Sequence, residues 1–279
     1  MRRALKNRVV VITGASAGIG SECARLFSEA GAHVVIAARR LERLEAIRQE
    51  IEAKGGKCLA VQTDVSDRAL MQRLLDATLE HFGRVDVWIN NAGSGLAASV
   101  EQTTPEEMER IWAVNYMGAF HGCQVALQQM RRQGRGHIIN ISSMAGRFAM
   151  PLGAAYSAAK FAVNGLSEAL AMELHGTGIR VSVMMPGFTG TEFFDAMQKK
   201  IPDAPMPRVG IASARSVAAR ILRCAQHPRE KVYFIPVPPL TLAFFDLFPS
   251  LWRRIALRYI QMRTGGRGTP VPGEEDAAR

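Results

Sequence analysis

Val9-Val10-Val11-Ile12-Thr13-Gly14-Ala15-Ser16-Ala17-Gly18-Ile19-Gly20 decides the fold. An apolar, β-branched run breaks into clustered glycines and then into a helical pattern from Gly18 to Ala30, which reads as strand, tight turn and helix. The first N–H groups of such a helix, with its dipole, face an anion. Gly14 permits the turn, and Gly18 and Gly20 allow close approach of a pyrophosphate and of the sheet. The spacing is Gly-x-x-x-Gly-x-Gly, not the commoner dinucleotide fingerprint. An ordinary strand–helix turn is the plainer alternative.

The alternation continues outward. Strand signals at residues 8–13, 32–37, 57–62, 85–89, 136–141, 179–185 and 231–235 alternate with helical ones at 18–30, 40–54, 67–82, 105–130, 153–174 and 213–225. This predicts an α/β fold, a single-domain, doubly wound and mainly parallel sheet of the Rossmann type with helices on both faces. A length of 279 residues suits one large domain, and 48% hydrophobic with 22% charged residues reads as globular. The division expected is a core over 1–235, a helical extension over 236–263 and a disordered tail over 264–279, where Gly, Pro and charge dominate.

Composition also excludes. The net charge is +10, but the basic residues are scattered and no basic block is interleaved with aromatics, which argues against nucleic acid. Cys23, Cys58, Cys123 and Cys224 lie far apart, arguing against a zinc site or a disulfide framework and for a reducing cytoplasm. His81, His121 and His175 show no metal-ligand pattern, so no metal is expected. Met1-Arg2-Arg3 runs too soon into a strand to open a signal peptide, and no apolar run reaches the ~18 residues of a membrane-spanning helix.

Tyr156-Ser157-Ala158-Ala159-Lys160 carries the chemistry. Four residues apart in a helical segment, phenol and ammonium share one face, and a nearby cation stabilises phenolate. Alone the pattern is weak, since a solvated helix face produces it too. Ser143 lies thirteen residues earlier, at the end of the strand running into Ile139-Asn140-Ile141-Ser142-Ser143. At the end of the second strand, Ala37-Ala38-Arg39-Arg40 offers guanidinium groups where a carboxylate would hold a ribose 2′-hydroxyl. A guanidinium suits a 2′-phosphate, which predicts NADP(H) over NAD(H), with Arg39 the main ligand and Arg40 beside it. These arginines could also simply open a solvated helix. Asp64-Val65 ends strand three, where the carboxylate either meets the adenine amino group or caps the next helix.

Together these pieces resemble the short-chain dehydrogenase/reductase superfamily, in its shorter, non-extended branch, over about residues 7–235. The matching residues are Thr13-Gly14-x-x-x-Gly18-Ile19-Gly20, Asp64-Val65, Asn90-Asn91-Ala92-Gly93, Asn115, Ser143, Tyr156-x-x-x-Lys160 and Pro186-Gly187. The resemblance implies a seven-stranded parallel sheet, a bound nicotinamide cofactor, and reversible carbonyl/alcohol chemistry. It also implies roles. Tyr156 is the acid/base; Lys160 lowers its pKa and holds the nicotinamide ribose; Ser143 donates to the substrate oxygen; Asn115 holds a water in a relay to Lys160. Expected cofactor contacts are Gly14, Ser16, Gly18, Ile19, Gly20, Arg39, Arg40, Asp64, Val65, Asn91, Ala92, Gly93, Tyr156, Lys160, Pro186, Gly187, Thr189 and Thr191, with Asn90 structural. Oligomers are common in the superfamily, so a homodimer or homotetramer is expected.

Substrate is read less directly. Leu96, Met144, Phe148, Met150, Leu152, Phe188, Phe193, Phe194, Met197 and Met206 suggest an adaptable apolar pocket for a hydrophobic ketone or secondary alcohol, although core packing explains any one of them. Arg147 could instead receive an acidic group. In the extension, Phe244, Phe245, Phe248 and Trp252 accompany Arg253, Arg254 and Arg258. Packing on its own domain, peripheral contact with an anionic membrane, a lid and a subunit contact are all open readings. The function expected is thus an NADP(H)-dependent oxidoreductase, cytoplasmic or membrane-associated. A 3-oxoacyl thioester reductase and a non-catalytic NADP(H)-sensing protein are the alternatives, and the presence of both Tyr156 and Lys160 weighs against the sensor.

Overall fold

The protein is described by a computed structural model covering residues 5–200, 211–234, 241, 244 and 246–263. Seven parallel strands form its central sheet: β1 (Val9–Thr13), β2 (His33–Ala38), β3 (Lys57–Gln62), β4 (Val87–Asn90), β5 (Gly136–Ile141), β6 (Ile179–Pro186) and β7 (Lys231–Phe234). Their spatial order is β7-β6-β5-β4-β1-β2-β3. The strand order reverses between β1 and β4, in register Val10 to Val87 and Ile12 to Ile89. A crevice therefore opens beyond their carboxyl ends, where ligands of such sheets bind.

The strands are apolar along their whole length because both faces are covered. Val10, Ile12, Val34 and Ile36 pack one way, with Phe27 of α1 (Gly18–Glu29), Leu44 of α2 (Leu41–Ala53) and Ile221 on Ala214–Gln226. Val9, Val11, Val35, Trp88 and Ile138 pack the other way, with Met71 and Leu74 of α3 (Arg68–Phe82) and with Val125 and Met130. Asp67 Oδ1 caps α3, accepting from Ala69 N at 2.7 Å and Leu70 N at 3.1 Å. The capping role left open for Asp64 thus belongs to Asp67, because only Asp67 sits where the first free amides of the helix point.

One helix was expected from Pro105 towards Met130. The structure instead has α4 (Pro105–Trp112), a π-turn over Ala113–Met117 and α5 (Gly118–Gln133). Asn115 Nδ2 donates to the Ile111 carbonyl at 2.9 Å, so a side chain competes for a main-chain acceptor just where the helix widens. Strand four begins at Val87 rather than Val85. Ahead of it the buried Asp86 carboxylate takes Val9 N at 3.0 Å and the Arg8 guanidinium at 2.7 Å, side-chain bonds that stand beside the ladder.

The last two helices are α6 (Ala154–Glu173) and α7 (Ala214–Gln226), followed by α8 (Pro249–Arg263), which starts on its proline. The Trp252 ring lies 4.8 Å from Phe148, and Asp246 accepts from Arg147 Nε at 3.2 Å. The extension is therefore packed on its own domain, on residues that follow Ser143. Arg147 also hydrogen-bonds the Tyr233 hydroxyl, so its guanidinium is engaged by the protein itself rather than free for an acidic substrate group. Met206, Phe245, residues 235–240 and the tail 264–279 lie outside the described residues. Among the described residues, no helix is long and apolar enough to cross a membrane.

Beneath the crevice runs a buried polar chain: Trp88 Nε1 to Asn90 Oδ1 at 2.8 Å, Asn90 Nδ2 to Asn140 Oδ1 at 2.8 Å, and Asn140 Nδ2 to Ser167 Oγ at 2.9 Å. It ties β4, β5 and α6 together, and it gives Asn90 the structural role expected of it. Nearby, His137 faces Ser182 Oγ at 2.8 Å, and burial, with Arg180 adding to it, lowers its pKa from 6.5 to about 4. Between those values the unfolded chain takes up a proton that the folded chain refuses. Stability is therefore complete above pH 6.5 and lost as pH falls towards 4, by at most about 3 kcal/mol. Urea midpoints at neutral and mildly acid pH should fall in the parent protein and fall less in His137→Gln. Equal losses in both would assign the acid sensitivity elsewhere.

Candidate active site

The crevice is built from strand ends and the helix starts that follow them. At β1, the chain turns through Gly14 with φ +66°, and a Cβ placed there would lie 2.7 Å from Ala92 Cα. One at Gly20 would lie 2.4 Å from the Gly14 carbonyl oxygen. α1 begins without a side-chain cap and without an acidic residue in its first turn, which leaves its amides to an incoming anion. These features fit the phosphates of a dinucleotide. Asn91 Nδ2 braces the turn by donating to the carbonyls of Thr13 at 2.9 Å and Gly14 at 3.2 Å, so its side chain supports the loop rather than reaching into the crevice.

Just past the end of β2, Arg39 and Arg40 are both exposed. Arg40 Nη2 donates to Ser16 Oγ at 2.9 Å. Among the described residues the Arg39 guanidinium has no ion-pair partner. Two further residues gather here that the sequence reading missed: Glu192 Oε2 pairs with Arg43 Nη1 at 2.6 Å and lies 3.7 Å from Arg40 Nη1. Arg43 follows Arg40 by one helical turn, a visible signal. Nothing local marked Glu192, whose partner is 149 residues away in the chain. Asp64 Oδ1 accepts from Ser66 N at 3.0 Å and from its hydroxyl at 2.7 Å. Val65 is buried, and its carbonyl meets His121 Nδ1 at 3.1 Å, so its main-chain acceptor serves the fold.

Over the centre, α6 brings Tyr156 and Lys160 against the end of β5. Lys160 is 4% exposed, and its Nζ donates to the Ile141 carbonyl at 3.0 Å and stands 5.6 Å from the Tyr156 ring centre. Burial lowers its pKa from 10.5 to about 8, so the ammonium persists at neutral pH. Ser143 Oγ accepts from Ala145 N at 3.1 Å and stands near enough to the Tyr156 phenol to lower its pKa. Lysine was expected to bring the phenol pKa down. In the site as folded, burial raises it to about 12, and Ser143 provides the opposing pull. Ser142 is set apart from this chemistry, since it is buried with its hydroxyl on the Lys160 carbonyl at 3.1 Å.

Asn115 lies within reach of this pair. A Cβ at Gly93 would sit 3.0 Å from Asn115 Oδ1 and 3.7 Å from Lys160 Nζ. The fold also braces the Asn115 amide, with Nδ2 on the carbonyls of Ser94 and Ile111, both at 2.9 Å, and Oδ1 accepting from Ser94 N at 3.3 Å. Both amide hydrogens are thus taken, while Oδ1 keeps a second lone pair on the side of Lys160. Tyr116 stacks 4.6 Å from Trp112, in packing.

The remaining wall comes after β6. Pro186 ends the strand, Gly187 N donates to the Phe234 carbonyl at 3.0 Å, and the Thr189 hydroxyl returns to the Gly187 carbonyl at 3.1 Å. Thr191 lies against Gly18, where an added Cβ would be 3.1 Å from its methyl carbon. The Phe193 ring is 5.7 Å from Tyr156, with Phe194 edge-on to it at 5.5 Å. Phe193 and Met197 also close on Gly95. Of the apolar positions expected at substrate, Phe193 and Met197 are the ones seen beside Tyr156 and Gly95. Phe148 instead serves as the seat of Trp252.

The short chain dehydrogenase family model matches residues 8–202. Uncharacterized oxidoreductase YxnA of Bacillus subtilis is 32% identical over 277 residues, 98% of this chain and 78% of that one. A short chain dehydrogenase/reductase of Burkholderia phymatum in complex with NAD is 27% identical, with TM-score 0.77 over 96% of this chain and 98% of its own. A metagenomic short-chain oxidoreductase in complex with NADP is 32% identical, with TM-score 0.70 over 83% of this chain and 96% of its own.

The turn makes a direct prediction. Gly14→Ala combines a left-handed backbone with a Cβ against Ala92, and should cost about 1–2 kcal/mol of stability from the backbone alone. Thermal melts and dinucleotide titrations should both shift, and an unchanged melt would mean that the turn relaxes freely.

Proposed function

The chain belongs to the short-chain dehydrogenase/reductase superfamily, and from that membership we propose an NADP(H)-dependent oxidoreductase that interconverts an apolar ketone and its secondary alcohol. The observation that carries the reading is the meeting of the Tyr156 hydroxyl, Ser143 and a buried Lys160 ammonium beyond the glycine turn.

Bound NADPH would supply the hydride. As negative charge grows on the substrate oxygen, Tyr156 gives it a proton and Ser143 donates a hydrogen bond to the same atom. With its pKa near 12, the phenol holds its proton at neutral pH, which suits the acid of the reductive direction. Lys160, charged below about pH 8, stabilises the phenolate left behind and offers its remaining N–H groups to the nicotinamide ribose. The relay water assigned to Asn115 would donate to an oxygen of that residue, because both hydrogens of its amide are already committed.

Cofactor choice rests on this chain's own side chains, since its structural neighbours divide between NAD and NADP. No acid stands at the end of β2, Arg39 is exposed without an ion-pair partner among the described residues, and Arg40 is held beside the turn by Ser16. That set suits a 2′-phosphate and lacks the carboxylate that would accept from a ribose 2′-hydroxyl. The aromatic and thioether wall of Phe193 and Met197 beside Tyr156 favours a bulky apolar carbonyl.

Initial rates of NADPH and NADH oxidation against apolar ketones test both parts. Tyr156→Phe should stay folded and lose roughly 10²–10⁴ in turnover. Retained activity would remove Tyr156 from the reaction. Arg39→Ala should lower the preference for NADPH over NADH by about tenfold or more, the worth of one charge-assisted contact. An unchanged ratio would place 2′-phosphate recognition elsewhere.

A further inference from the structure

The segment that packs on Phe148 turns a second face outward. Leu247 is 76% exposed, Phe248 50%, Leu251 38%, Ile255 44% and Leu257 47%. At 3.6 residues per turn, Leu251, Arg254, Ile255 and Arg258 of α8 share one side, turned away from the half-buried Trp252 and Ala256. Arg253, Arg254 and Arg258 are all exposed. The one acid among residues 244–258 is Asp246, and it is already bound to Arg147.

Large apolar side chains interleaved with guanidinium groups, with no acid left unpaired, match one environment closely. That is the boundary of an anionic bilayer, where leucine and phenylalanine enter the acyl edge and arginine meets lipid phosphate. A second copy of the chain fits poorly. A two-fold contact through this face would set three arginines against three arginines, on a chain of net charge +10. We propose that residues 246–258 form a docking surface for an anionic lipid bilayer. Because Trp252 and Asp246 grip Phe148 and Arg147, just after Ser143, this surface lies beside the loop that carries the substrate-facing hydroxyl. The proposal concerns binding and does not depend on turnover.

Sedimentation of the full chain with phosphatidylcholine vesicles, with and without phosphatidylglycerol, tests it. Binding is expected only to the anionic vesicles and should weaken as salt is added. Each arginine near the surface is worth roughly fivefold, so the combined Arg253→Gln, Arg254→Gln, Arg258→Gln variant should lose on the order of a hundredfold. Leu251→Ser with Ile255→Ser keeps the charge and should also bind more weakly, while thermal melts establish that both variants are folded. Absent binding, binding indifferent to lipid charge, or binding untouched by both variants overturns the proposal. So does concentration-dependent dimerisation that the same substitutions abolish, which would assign the face to a second copy.

Discussion

A buried ammonium organises this molecule. Lys160 carries its charge into the protein on α6, and the Ile141 carbonyl at the end of β5 accepts from it. An unpaired charge there would cost several kcal/mol, so helix and strand end must keep their relative position. The packing around them holds that position: Ser142 grips the Lys160 carbonyl, Asn140 grips Ser167, and Asn90 bridges β4 to β5. Tyr156 and Ser143 are brought together as a consequence, one on the helix and one just past the strand.

The same economy of polar groups explains the second half of the site. Asn115 interrupts a helix by taking the Ile111 carbonyl and closes on Ser94, which fixes the loop after β4 next to Lys160. Asn91 spends its amide on the glycine turn. Both asparagine side chains thereby brace main-chain groups around the crevice.

Electrostatics separates the ends of the crevice. Arginines collect near α2 and the glycine turn, where phosphate would lie, and Glu192 pairs with Arg43 and approaches Arg40 there. Around Tyr156 the wall is aromatic and thioether, and burial raises the phenol while lowering the ammonium. The low local dielectric makes each donor at the substrate oxygen count for more than it would in water. The C-terminal segment adds a third region, clamped to the Ser143 loop on one side and apolar and basic on the other.

Much of this was legible in the chain. Apolar β-branched runs separated by amphipathic helices specify a parallel sheet covered on both faces, because no other arrangement buries them. Gly14, Gly18 and Gly20 mark the turn, and Tyr156 with Lys160 marks the helix that faces the crevice, because spacing along a regular element is a local property. Tertiary structure decided the rest. That Arg147 would be claimed by Asp246 and that Glu192 would meet Arg43 depend on which polar groups compete for the same partner across 99 and 149 residues of chain. Such competition is settled between segments far apart in sequence, by burial and distance, and no local pattern of residues encodes its outcome.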